Sequence, residues 1–283
     1  MRTLKLTIAY DGTHYAGWQA QARGQPAPAI MKGGPGRSEV GSRKGRRMPT
    51  IQGTLERTLQ RILQEPVTVI GSGRTDAGVH ALAQVAHVRT RSTMSCARLV
   101  RSVNQLLPEE IAVTAIADVQ PGFHARFDVM SKRYRYRIFT GAVVPPFIRS
   151  YVYQVHVPLN VALMRREAVA LRGRHDFRAF VRAARSVRST VRTIRGVQLT
   201  RRSQELQFEI EGNGFLYTMV RSIVGTLIDI GRGRLPPGTI RRMLRNGDRR
   251  LAGTTASAHG LALVSVTYRR RDGWACHNAA ARS

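Results

Sequence analysis

A chain of 283 residues with 42% hydrophobic content is long enough to bury a core, as one large or two modest domains. Its 46 Lys and Arg against 17 Asp and Glu, a formal net charge of +29 at pH 7, point to a polyanionic partner, nucleic acid by default. Two cysteines without a CxxC spacing argue against a disulfide framework, and eight histidines without paired spacing argue against a metal site. There is no apolar run near ~18 residues and no signal-peptide pattern before the first strand, so no membrane span is expected and the cytoplasm is the expected setting.

Alternation over residues 4–10 predicts a first strand that ends at the turn Asp11-Gly12. Tyr15 and Trp18 follow in a short loop, where Trp18 either stacks on a nucleic-acid base or packs into the core. Residues 22–49 break the pattern: ten of 28 positions are Gly or Pro, and seven basic residues accompany a single acid. This composition predicts a flexible basic insertion, either a solvated loop or an RNA-contacting arm.

From Ile51 the pattern is helical, with Ile51, Leu55, Leu59, Ile62 and Leu63 on one face, Thr50 as N-cap and Pro66 as the stop. Strands are expected at 67–70 and 84–88, then a helix at 95–105 and a strand at 111–119. Pro121-Gly122 marks a boundary between two similar halves, residues 1–120 and 121–271. The strand at 131–140 alternates, with Tyr134, Tyr136 and Ile138 on an apolar face and Arg133, Arg135 and Arg137 on a basic one.

A helix at 160–171 and strands at 191–200 and 204–211 follow. Residues 215–231 give the strongest helical pattern, with an apolar stripe from Leu216 through Ile228 and Arg221 at its margin, where a snorkelling arginine is the plain reading. A helix from Pro236-Pro237 to Asn246, a strand at 261–269 and a frayed tail at 272–283 complete the chain. The elements lack strict βα alternation. The fold class expected is therefore α+β, a mixed and mainly antiparallel central sheet with helices on one face.

The loop Gly71-Ser72-Gly73-Arg74-Thr75-Asp76-Ala77-Gly78-Val79-His80-Ala81 lies between two of these strands. Gly and Asp form turns, so a plain turn is one reading. The other is a site that presents one acid and one guanidinium to a bound group, with glycines permitting close approach. The loop has neither the Lys-Ser/Thr of a P-loop nor a GxGxxG opening a helix.

The string from Gly73 to Ala81 resembles the signature of the pseudouridine synthases, specifically the A-type tRNA enzymes. Further matches occur in order. They are Tyr10-Asp11-Gly12 with Tyr15-Ala16-Gly17-Trp18-Gln19, Phe123-His124-Ala125-Arg126-Phe127, Arg133-Tyr134-Arg135-Tyr136, His175-Asp176-Phe177, the run from Asn213 to Gly225, and Gly260-Leu261. The resemblance covers residues 4 to about 268, and the 22–49 insertion departs from it.

It implies two ferredoxin-like halves sharing a sheet, with a basic cleft between them. It further implies isomerisation of uridine to pseudouridine in the anticodon arm of tRNA, around positions 38 to 40, by a homodimer; that reaction needs no redox or group donor, so no cofactor is expected. By the same resemblance Asp76 is the catalytic carboxylate, Arg221 its ion-pair partner, and Arg74 the residue holding the target nucleotide out of its stack. Tyr134 is then the active-site tyrosine that meets the uracil.

The reaction breaks the glycosidic N–C bond, turns the base and rejoins it through C5. One ionised carboxylate near the ribose is the minimum, acting as nucleophile at C1′, as stabiliser of an oxocarbenium-like state, or as a base. The rival readings are a non-catalytic basic RNA-binding protein or RNA chaperone and, more remotely, a DNA-binding regulator, for which no helix-turn-helix pattern is found.

Overall fold

A computed structural model of the protein describes residues 1–19, 48–181 and 188–269. Most of the 22–49 insertion, the arginines between 182 and 187, and the 272–283 tail lie outside the described residues.

Strand β1 (Arg2–Tyr10) buries Leu4, Leu6, Ile8 and Tyr10 on one face, as period-2 alternation requires. It pairs antiparallel with β3 (His80–Thr90) on one side and β4 (Ile111–Val119) on the other. Helix α1 (Ile51–Leu63) starts at Thr50, whose side chain accepts the Gly53 N–H, and ends where Gln64 turns left-handed, two residues before Pro66. Helix α2 (Cys96–Leu106) starts in the same way, with Ser95 accepting from the Arg98 N–H.

The expected strand at 67–70 is reduced to β2 (Ile70–Gly71), a two-residue pairing with β3. Val67 and Val69 are buried instead as a connector under the core. The compensation is in β3, which begins at His80, four residues earlier than its alternation suggests.

The remaining elements are β5 (Val129–Phe139), β6 (Tyr153–Gln154), α3 (Val161–Val169), β7 (Gly173–Asp176), β8 (Val191–Arg202), β9 (Glu205–Gly212), α4 (Met219–Gly231), α5 (Thr239–Asn246) and β10 (Leu261–Tyr268). The sheet runs β4-β1-β3-β10-β5-β9-β8-β7, with β2 on β3 and β6 on β5. Among the described pairings only β10 with β3 and β5 with β6 are parallel, so the fold is α+β with a mixed, mainly antiparallel sheet. The last described strand, β10, lies between β3 and β5 and joins the two flanks of the sheet.

The alternate buried residues of these strands join those of all five helices in one core, each fully buried Leu, Ile or Phe contributing about 1.5–3 kcal/mol. A smaller cluster, Val85, Phe123 and Ala125, is separate from it and packs the 121–128 turn against the sheet beside Val266 and Tyr268. Among the described residues no helix is long and apolar enough to cross a membrane.

Trp18 is 2% exposed and packs against Gly71 and Tyr10. The base-stacking reading of Trp18 is therefore wrong, because the ring serves as filler beneath the signature loop. The basic face expected of β5 is neutralised in place: Arg133, Arg135 and Arg137 pair with Glu211, Glu209 and Glu205 of β9 at 2.8, 2.7 and 2.7 Å. Helix α4 begins at Met219 rather than at Phe215, because Thr218 takes a left-handed conformation at φ 58. That break lets Phe215 turn its ring edge-on to Tyr134, with centroids 5.0 Å apart. Helix α5 likewise begins at Thr239, after Gly238, rather than at the proline pair.

Candidate active site

The signature loop is supported from below by the 11–18 turn. The Trp18 N–H donates to the Thr75 carbonyl at 3.2 Å, and the Tyr10 hydroxyl lies 2.9 Å from that of Thr75. Gly17 adopts φ +94, and a Cβ there would stand 2.5 Å from the Thr75 oxygen, so only glycine fits this approach. On the other side, Ser72 Oγ donates to Gln84 Oε1 at 2.6 Å, and Gln84 Nε2 donates to the Gly73 carbonyl at 3.1 Å. Lys132 Nζ donates to the Ser72 carbonyl at 2.6 Å. The N-terminal turn motif and the loop signature, about 60 residues apart in sequence, thus form one structural unit.

Held in this way, Asp76 meets Arg221 of α4, whose Nη1 donates to Asp76 Oδ2 at 2.9 Å. The two side chains are 15% and 19% exposed. Arg221 is fixed in turn by its Nε, which donates to the Ala256 carbonyl at 2.8 Å. The 253–256 loop that supplies this carbonyl is pinned to α4 by close approach at Gly225, where a Cβ would stand 1.6 Å from the Thr254 oxygen. Arg249 reinforces the contact through Ser222 Oγ and Thr255 Oγ1 at 2.8 and 3.2 Å.

Asp76 Oδ1 has no hydrogen bond to the described residues, which leaves it available to a ligand. Burial pushes the Asp76 carboxyl above its ordinary range, and the charge and hydrogen bond of Arg221 offset only part of that rise. The guanidinium alone pulls the other way. The desolvation that outweighs it depends on packing.

Tyr134 of β5 is buried beside this pair, and burial, with Tyr10 and Asp76 nearby, holds its phenol well above the usual value, so the ring stays neutral. Its hydroxyl has no hydrogen bond to the described residues. Arg74 differs from the other three: it is exposed, does not touch Asp76, and donates through Nε to Gln19 Oε1. The structure therefore brings Asp76, Arg221 and Tyr134 together and leaves Arg74 at the rim.

Sequence reading missed Phe215, which lines Tyr134, and the 253–256 loop, which orients Arg221. Phe215 lies inside a predicted helix, and the loop carries only small residues with no pattern to betray it. A cavity of ≈ 590 Å³ lined by Asp11, His80, Glu110, Arg135, Arg137 and Tyr151 contains none of the four candidate site residues. Among the described residues no cluster of His, Cys, Asp or Glu could hold a metal ion.

Comparison with known proteins bears on this arrangement. A family model described as tRNA pseudouridine synthase matches residues 37–128 and 168–269. A tRNA pseudouridine synthase A from an Exiguobacterium species is 40% identical over 272 residues, covering 96% of this chain and all of that protein. One from Exiguobacterium sibiricum is 42% identical over 268 residues, covering 95% of this chain and 97% of that one. One from Moorella thermoacetica is 39% identical over 268 residues, covering 95% of this chain and all of that protein. With identity of this order running from the supporting turn through the signature loop to the last strand, the chain belongs to the tRNA pseudouridine synthase family, whose members are isomerases.

Proposed function

We propose that the chain converts uridine to pseudouridine in the anticodon stem-loop of tRNA, at positions 38, 39 and 40, with Asp76 as the catalytic carboxylate. The observation that carries this reading is the Asp76–Arg221 pair at 2.9 Å beside Tyr134, with Asp76 Oδ1 unbonded. A carboxylate in that position serves the reaction by attack at C1′, by stabilising an oxocarbenium-like state, or by taking a ribose proton. In each case the N1–C1′ bond breaks, the base turns, C5 bonds to C1′, the proton on C5 leaves, and N1 takes up a proton. Reactant and product are isomers, so the proposal includes no cofactor.

Arg221 favours the ionised form of Asp76 and fixes its orientation. Tyr134 provides a neutral ring for the uracil. The exposed Arg74, tethered to Gln19, is suited to fill the space left when the nucleotide is extruded, a step that costs a few kcal/mol. We further propose that the halves 1–120 and 121–271 flank a basic cleft, and that the protein acts as a cytoplasmic homodimer with one tRNA touching both subunits.

The test is pseudouridine mapping on unmodified tRNA incubated with the wild-type protein and with Asp76→Asn, without added cofactor. Conversion confined to the anticodon arm and absent in Asp76→Asn supports the reading. Equal tRNA binding by both proteins with no conversion by either would replace it with a non-catalytic RNA-binding role.

A further inference from the structure

The motif Phe123-His124-Ala125-Arg126-Phe127 takes no part in the site described above, yet its loop is tightly built. Phe123 and Ala125 are buried. The Ala125 N–H donates to His87 Nδ1 at 3.1 Å, and the Tyr268 hydroxyl donates to the Ala125 carbonyl at 2.7 Å. Asp128 turns its carboxylate inward to accept the His124 N–H at 2.8 Å. The His124 ring accepts through Nδ1 from the Arg126 and Phe127 amides at 3.2 and 3.3 Å. Burial, with the neighbouring His124 and Arg89, pushes His87 down to about 4, which keeps it neutral as an acceptor.

On this fixed loop the Phe127 ring is 77% exposed. It stacks on His124 with centroids 4.2 Å apart and 28° between planes, and the Arg126 guanidinium lies 6.0 Å from its centre. Lys132 lies within electrostatic reach of both Arg126 and Arg192; burial and these two cations push it down to about 8. Among the described residues no carboxylate forms an ion pair with Arg126, Lys132 or Arg192, and the nearby Glu211 is held by Arg133 and Ser131. Lys132 also binds the carbonyl of Ser72, four residues before Asp76, and Arg192 lies against Gly214, next to the Phe215 that meets Tyr134. The patch therefore adjoins the candidate active site.

We infer that Phe127, with Arg126, Lys132 and Arg192, forms a nucleotide-binding station for the RNA strand next to the extruded uridine. The Phe127 ring stacks one base, Arg126 holds its backbone phosphate, and Lys132 and Arg192 add positive potential behind it. The inference rests on the proposed tRNA reading. An exposed ring on a rigid loop offers stacking area at little ordering cost, and cations without a carboxylate partner near it match a phosphate rather than an apolar protein surface.

The experiment uses the full chain and an unmodified tRNA transcript, with Kd and kcat/KM measured for wild type, Phe127→Ala, Phe127→Trp and Arg126→Gln. Phe127→Ala is expected to raise Kd by roughly 10-fold with no change in Tm, and Phe127→Trp to restore binding. Arg126→Gln is expected to lower the slope of log K against log salt by about 0.7 to 0.9. A Kd for Phe127→Ala within about twofold of wild type overturns the inference. So does a shift from dimer to monomer without loss of tRNA affinity, which would assign the ring to a protein contact. Wild-type binding without uridine conversion would defeat the proposed reaction, and the Kd comparison would still decide the station.

Discussion

Asp76 is subject to opposing influences at the scale of a single residue: burial favours its neutral form, and Arg221 favours the ionised one. If catalysis needs the carboxylate, activity rises with pH as Asp76 loses its proton, and the midpoint lies above that of an ordinary aspartate. Arg221→Gln removes the opposing charge, so the acid limb of kcat/KM is expected to move to higher pH. At pH 6 the loss is expected to be roughly 10- to 100-fold, a charge-assisted hydrogen bond being worth about 1.5–3 kcal/mol. A pH profile that falls uniformly without moving would show that Arg221 does not tune Asp76. Gly17 gives a second residue-scale expectation. Gly17→Ala costs about 1–2 kcal/mol for the left-handed backbone alone, and its Cβ would displace Thr75, next to Asp76. Lower Tm together with lower kcat/KM is expected, and full activity in Gly17→Ala would show that the loop tolerates the displacement.

Element packing explains why the site survives on a chain so rich in arginine. The β5–β9 ladder removes three arginines from the RNA-binding inventory by pairing each with a glutamate. Hydrogen bonds from Arg137 and Arg133 hold the Glu205 and Glu211 carboxyls below the usual range. A carboxyl depressed in the folded state stabilises above its unfolded pKa, and that stabilisation is lost as pH falls through the folded value. Glu205→Gln should therefore lower stability by about 0.5–1 kcal/mol at pH 7, the pair being partly solvent-screened, and the difference should close in acid denaturant melts. A gap that persists below the folded pKa would point to lost packing instead. At the α4 interface, Gly225→Ala would force the 253–256 loop away and release Arg221. A loss of about 1–3 kcal/mol is expected from overpacking, with activity falling further than stability alone predicts.

The net charge of +29 acts at the scale of the whole molecule, through counterion release from RNA. Raising salt from about 50 to 200 mM is expected to weaken tRNA binding on the order of 10³-fold if six or more phosphates are contacted, as read by filter binding. A flat salt response would mean that the arginine excess does not grip the backbone. The sheet order places β10 between β3 and β5, so the last described strand holds both flanks of the candidate active site in register. The Asp76–Arg221 contact, between residues 145 apart in sequence, therefore rests on long-range pairing within one sheet.

The amino-acid sequence alone determined the features that depend on near neighbours. Side-chain patterning specified β1, β4, β5 and β9 to within a residue or two, and Thr50 as N-cap marked the start of α1, because side-chain periodicity and capping are local. The ordered motifs carried the family and the α+β class with it. Tertiary structure decided what depends on distant partners. Whether Trp18 faces RNA or Gly71, whether the β5 arginines are free or paired, and where α4 begins all turn on residues far away in sequence. The same holds for Asp76. Its residue type and loop are legible in the sequence, but its burial, its bond to an Arg221 held by Ala256 and its raised pKa arise only when separate elements exclude water around it.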